Sequence, residues 1–150
     1  MASPDFVQLN RVELERMSGI VERLSDADLR LKVNEHWTVA GVLGHIAFWD
    51  LRAGILAAKL KSGGRFSEAD NEPDGVDWIN DSARVFIDAV EPRALAELAL
   101  RIAKETDAVV ASVDPQGMYP YDEASPLNAI RASHRGEHLD EIEHALAHRA

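Results

Sequence analysis

Three histidines could form a metal site in this chain. His134 and His138 stand four residues apart in the segment SHRGEHLDEI, which has helical rather than strand character. Residues four apart lie on the same face of a helix, so both imidazoles would point the same way. His45, from a different helix, would complete a three-histidine set that leaves a coordination position for water or substrate, as catalytic zinc sites do. The spacing therefore predicts a divalent-metal site with room for chemistry.

A structural role is the alternative for each of these histidines. Pairs of histidines four apart occur by chance in many helices, and a lone buried histidine is more often a hydrogen-bonded core residue than a ligand. The imidazole of His45 is predicted to point inward, because it shares a helical face with Val42 and Ile46. Coordination through one ring nitrogen, with the other donating to a carboxylate or carbonyl, would satisfy both nitrogens.

Two further charged residues, Glu141 and Arg131, are candidates for the same site, and a third, Asp50, is not. Glu141 falls between His134 and His138 on the helical wheel, so it is the candidate catalytic acid, able to orient a ligand or a bound water; a surface carboxylate is the alternative. Arg131 is a candidate anchor for an anionic substrate or cofactor, and otherwise an ordinary surface arginine. Asp50 lies off the face of His45 and is expected to be a solvated acid or part of an ion pair.

Composition limits the function classes. A chain of 150 residues is predicted to be a single domain, residues 1–150, large enough to bury a core without disulfides. The absence of cysteine excludes a protein thiolate as nucleophile or metal ligand. A net charge of −10 disfavours nucleic acid and anionic membranes as partners. With no apolar run of membrane-spanning length and no signal-peptide pattern at the start, a cytoplasmic location is expected.

Apolar periodicity and helix-start signals predict an all-α four-helix bundle. Ser3 and Pro4 start the first helix, Thr38 caps the second, Pro92 kinks or breaks the third, and Ser125-Pro126 starts the last. A short helical turn is predicted in the segment DADLR. The segment GGRFSEADNEPDGV is a long polar crossover between the second and third helices. The predicted helices span residues 3–24, 38–61, 78–113 and 125–146.

The segments HWTVAGVLGHIAFWD and SHRGEHLDEI, in this order and at this separation, resemble the DinB-like superfamily, which includes the metal-binding domain of mycothiol-dependent maleylpyruvate isomerases. The resemblance implies an up-down-down-up bundle with its crossover between helices two and three. It places the metal ligands at His45, His134 and His138, with zinc or nickel as the usual ion. It also implies a homodimer and chemistry on low-molecular-weight thiols such as mycothiol or bacillithiol. The chain lacks the additional C-terminal domain of the maleylpyruvate isomerases, so that particular activity is not implied.

Two functions from different classes follow. The first is a metal-dependent, thiol S-transferase-like or isomerase-like enzyme acting on a small-molecule substrate, in which the ion activates a thiol that the cysteine-free chain cannot supply. The second is a non-catalytic bundle that binds a small molecule or a partner, with a structural or adventitious metal. An exchangeable coordination position at the metal would separate them.

Overall fold

The computed structural model describes residues 5–149, and every regular element in that range is a helix. The fold class predicted from the sequence, all-α, is therefore confirmed. Outside the helices the described chain contains two isolated bridges and two single 3-10 turns, Glu68–Asp70 and Pro115–Gly117. The helices are α1 (Phe6–Arg23), α2 (Asp26–Arg30), α3 (Val39–Lys61), α4 (Asp77–Asp88), α5 (Pro92–Ala111) and α6 (Ala132–Ala147).

The four long helices α1, α3, α5 and α6 form a ring of neighbours. α3 packs most extensively against α5, α1 packs against α5 and α6, and α6 closes the ring on α3. The buried apolar residues form two clusters, a larger one that includes Met17, Leu43 and Leu139 and a smaller one that includes Phe6 and Val110. α1 and the chain entering α6 run from the smaller cluster to the larger, whereas α3 and α5 run from the larger to the smaller. A bundle with the predicted up-down-down-up order has its first and last helices in one direction and its two middle helices in the other, as these four helices are.

Side-chain caps start the helices largely where the sequence predicts. Thr38 accepts a hydrogen bond from the Gly41 backbone N–H at 3.0 Å and so starts α3. The predicted third helix is broken rather than kinked, because Glu91 accepts from Ala94 N–H at 2.8 Å and caps a new helix that begins at Pro92. α2 coincides with the predicted turn in DADLR. Asp5 caps α1; the predicted cap Ser3 and its neighbour Pro4 lie outside the described residues.

The predicted start of the last helix at Ser125-Pro126 is wrong, because α6 begins at Ala132. The hydroxyl of Ser125 donates to the Gly117 carbonyl at 2.8 Å instead of capping a helix. The backbone that follows pairs with the preceding loop, with Tyr119 N–H donating to the Leu127 carbonyl at 2.8 Å. Tertiary hydrogen bonds therefore satisfy the backbone groups that a helix would otherwise use.

α3 is the central helix of the bundle. It is long and apolar enough to cross a membrane, with a mean hydropathy of 1.3, although no run of that length was expected from the sequence. However, 72% of that stretch is buried inside the protein. Its apolar character is therefore explained by burial against the other helices, and it is a core helix.

A layer of buried polar side chains separates the two apolar clusters. Asp50 on α3 and Arg135 on α6 are both fully buried, and Arg135 Nε donates to Asp50 Oδ2 at 2.8 Å. Arg135 also makes a two-pronged ion pair with Asp107 on α5, at 2.7 and 2.9 Å. Arg131 Nε donates to the other Asp50 oxygen at 3.1 Å. Of the two roles expected for Asp50, the ion pair is confirmed and the solvated acid is wrong.

The long crossover between α3 and α4 is confirmed, and it is tied to α3. Arg52 Nη2 donates to the Asp70 carbonyl at 2.8 Å, and Lys59 Nζ pairs with the Asp70 carboxylate at 2.8 Å. Arg52 Nη1 also donates to the Pro126 carbonyl at 3.3 Å. One side chain of α3 thus holds both the crossover and the loop before α6.

We expect Arg135→Met to destabilise the metal-free protein by about 3–5 kcal/mol, because it removes the buried arginine that pairs with both the buried carboxylate of Asp50 and the partly buried carboxylate of Asp107. The measurement is urea unfolding followed by circular dichroism. The matched control is Arg101→Met, which removes an exposed pair with Glu105 and should cost at most about 1 kcal/mol. Equal losses in the two variants would contradict a structural role for the buried layer.

Candidate metal centre

The structure brings the three predicted histidines together. One ring nitrogen from each of His45, His134 and His138 lies within 4.8 Å of the other two. The ring centroids are 5.2 Å apart for His45 and His134, 4.7 Å for His45 and His138, and 4.6 Å for His134 and His138. Side chains this close can place three imidazole nitrogens around one ion, each at the usual Zn–N distance of about 2.0–2.1 Å.

The buried polar layer positions the elements that carry these ligands. His45 stands on α3 between one and two turns before Asp50, and His134 directly precedes Arg135 on α6. The ion pair between Asp50 and Arg135 fixes these two helices relative to one another, so that the single imidazole of α3 meets the two on successive turns of α6.

Hydrogen bonding indicates which nitrogens are available. His138 Nδ1–H donates to Glu141 Oε2 at 3.0 Å, which leaves Nε2 of that ring as its donor atom for an ion. A carboxylate behind a ligating imidazole is the usual arrangement at metal sites. His134 Nδ1 is buried and has no hydrogen-bond partner among residues 5–149. A buried nitrogen without a hydrogen-bond partner lowers the stability of the fold. A role of His134 as a metal ligand would explain why the chain keeps a histidine at this position.

Burial keeps two of the ligands neutral. Desolvation, with a smaller contribution from the charge of His138, lowers the pKa of His45 to about 4. Desolvation, and then the neighbouring His138 and His45, lowers the pKa of His134 to about 3, and Arg131 and Arg135 act in the same direction. Both imidazoles are therefore uncharged at pH 7, which is the form that donates a lone pair to a metal.

A cavity of about 270 Å³ opens beside the imidazoles. It gives the site an open side, so that an ion held by three histidines would have room for water or a substrate in its remaining position. The cavity is lined by His45, Trp49, Arg52, Glu72, Val76, Asn80, Asn128, Arg131 and His134.

The other predicted site residues lie close by with defined contacts. Arg131 lines the cavity, but its Nε is committed to Asp50, and its role as an anion anchor stays a prediction. Glu141 accepts a hydrogen bond from His138, and its catalytic role also stays a prediction. The histidines outside the cluster, His36, His144 and His148, have exposed side chains.

Sequence reasoning did not identify several residues of the cavity wall. Arg52 carried a usable signal, because it stands seven residues after His45 and so lies on the same face of α3. Asn80 and Asn128 carried no such signal, because Asn80 lies on α4 and Asn128 in the loop before α6. Only folding brings them into the wall of one cavity. The Asn80 side-chain oxygen accepts a hydrogen bond from Trp49 Nε1 at 2.8 Å, which fixes this part of the wall.

We expect the protein, purified without a histidine tag, to contain near-stoichiometric divalent metal that both His45→Ala and His134→Ala lose. Elemental analysis measures the metal, and circular dichroism checks that the helices persist. His36→Ala, which removes an exposed imidazole, is the matched control and should keep the metal. A parent that binds neither zinc nor nickel when these are added would show that the imidazoles are structural.

Glu141→Gln should weaken metal affinity about 10- to 100-fold, because the amide orients the His138 ring less strongly and lowers its basicity compared with a carboxylate. Competition with a chromogenic chelator measures the affinity. Glu137→Gln is the control, since this exposed carboxylate precedes His138 but no hydrogen bond joins it to a ligand in the described chain. An unchanged affinity in Glu141→Gln would remove any role for this residue at the metal.

Comparison with known proteins gives one assignment. A family model of the DinB superfamily matches residues 8–148, from the first turn of α1 to the end of α6. No match was found among curated proteins or among solved structures. The match extends over almost the whole chain and includes both histidine segments, which confirms the resemblance seen in their residues. The chain belongs to the DinB superfamily.

Proposed function

We propose that this protein is a divalent-metal-dependent enzyme that transfers or rearranges a group on a low-molecular-weight thiol. The observation that carries the proposal is the open side of the three-histidine cluster, where neutral imidazoles face a cavity large enough for a small molecule. A purely structural site would be expected to be closed by a fourth protein ligand. Zinc or nickel held by His45, His134 and His138 would be the catalytic ion.

The bound ion would supply an acidified water or thiol at neutral pH. The chain has no cysteine, so the thiol has to be a separate molecule such as mycothiol or bacillithiol. The residues around the site would orient this thiol and its partner. Glu141 holds the His138 ring in place, and Arg131, fixed by Asp50, presents a positively charged group to the cavity.

The chemistry best matched to this site is attack of the thiol on an electrophilic small molecule. The sulfur forms a bond to the electrophilic carbon, the leaving group departs with its electron pair, and the thiol proton passes to solvent. A cytoplasmic location and a homodimer belong to the same proposal. The net charge of −10 supports a small molecule rather than nucleic acid as substrate.

Metal-loaded protein should accelerate the loss of mycothiol or bacillithiol in the presence of alkyl or aryl halides. With metal-free protein or with His134→Ala, the thiol should be lost only at the rate measured without protein. The physical reason is that only the ion lowers the thiol pKa. Thiol consumption can be followed with a disulfide reagent. Equal rates for the metal-loaded and metal-free proteins, over both thiols and the whole electrophile panel, would refute the proposed function.

A further inference from the structure

A second cavity, of about 350 Å³, is almost wholly apolar. It adjoins the cavity of about 270 Å³ beside the three histidines, which we call the metal cavity. The wall of the second cavity comes from α3, from the crossover and from α4. Its apolar lining includes Phe48, Leu51 and Ile55 on α3, Pro73 in the crossover and Ile79 on α4. We call it the apolar cavity. Ligand sites in proteins are usually concave and mostly apolar, with a few polar groups at one end.

The two cavities share a wall. Trp49, Arg52 and Glu72 line both of them, so the cavities are neighbours. α3 accounts for this arrangement, because Trp49 and Arg52 lie on the same stripe of the helix as His45, whereas Phe48 and Ile55 form the adjacent stripe. The shared residues Arg52 and Glu72 form an ion pair at 3.4 Å with both side chains partly exposed. A pair this exposed is weak, so the Glu72 side chain can move aside for a ligand while Arg52 keeps its hydrogen bonds to the carbonyls of Asp70 and Pro126.

The apolar cavity leaves hydrophobic side chains exposed. Ile55 is 62% exposed, Leu51 47% and Phe48 37%. A contiguous apolar patch beside polar groups marks a binding surface more often than chance exposure does. Its position next to the cavity beside the histidines points to a specific occupant, the apolar part of a molecule whose polar end lies at the three histidines.

We propose that the two cavities form one cleft, which binds an amphipathic small molecule. The thiol or metal-binding head of this molecule lies at His45, His134 and His138, and its aliphatic or aryl tail fills the apolar cavity between α3 and Ile79. This inference rests on the proposed function and names the class of molecule that the site takes.

The test uses protein loaded with Co²⁺ and a series of n-alkanethiols from ethanethiol to hexanethiol. The thiolate-to-cobalt absorption band reports binding of the head. Each added methylene should tighten binding about fourfold while the tail is being buried. Hexanethiol, but not ethanethiol, should also shift the methyl resonances of Ile55 and Ile79 in protein labelled at isoleucine methyl groups. That second readout does not depend on activity.

Ile55→Ser should reduce the affinity ratio between hexanethiol and ethanethiol by about tenfold, because it removes apolar surface from the cavity. Phe86→Ser is the matched control. Phe86 is 77% exposed on α4 but lines neither cavity. The Phe86→Ser variant should therefore have the same hexanethiol-to-ethanethiol affinity ratio as the parent protein.

Three results would overturn the inference, and they are distinguishable. Ethanethiol binding to cobalt without any gain along the series refutes the apolar cavity as a tail site and leaves the proposed function standing. A cobalt protein that binds no thiol refutes both proposals. If the methyl shifts follow protein concentration instead of hexanethiol, and Ile55→Ser sediments as a smaller species than the parent, a second copy of the chain covers the cavity.

Discussion

The buried ion pairs between Asp50, Arg135, Asp107 and Arg131 are the interaction on which the rest of the structure depends. Taking charges out of water is costly, and each pairing offsets this cost only while its geometry is kept. If α6 shifted along α3, the three pairings of Asp50 with Arg131, Asp50 with Arg135 and Arg135 with Asp107 could not all keep their geometry. The layer therefore selects one register of the bundle among the many that apolar contacts alone would tolerate. The two aspartates and two arginines cancel in formal charge, and the two arginines nevertheless contribute to the lowered pKa of His134.

The three-histidine cluster depends on this rigidity. Three imidazoles close together in a partly buried place would repel one another if they were protonated, and burial keeps His45 and His134 neutral instead. Without an ion the arrangement still has a cost, because His134 Nδ1 is buried without a partner in the described chain. A site that gives up stability for ligand geometry is typical of function rather than of folding. The helices around it provide the compensation through the core and the buried layer.

The part of this structure that could be predicted from the sequence is the part set by local periodicity. His134 and His138 could be paired because helix geometry alone puts residues four apart on one face, and Thr38 could be recognised as a cap because its hydroxyl acts within one turn. Ser125 offered the same local signal and was misread, because whether a serine caps a helix or ties a loop depends on a distant carbonyl, here that of Gly117. The burial of Asp50 and the placement of Asn80 and Asn128 in the wall of one cavity likewise depend on several segments at once. Neither has a signature within any single stretch of chain.

Arg52 joins two loops that are far apart in sequence, since it donates to the carbonyls of both Asp70 and Pro126. It does so through backbone oxygens, which every residue type provides. Side chains in the crossover and in the loop before α6 are therefore free to change without loss of these tethers, while the helices retain the three histidines. Such a scaffold lets the wall of the cavity change through its loops while the three histidines on the helices keep their places.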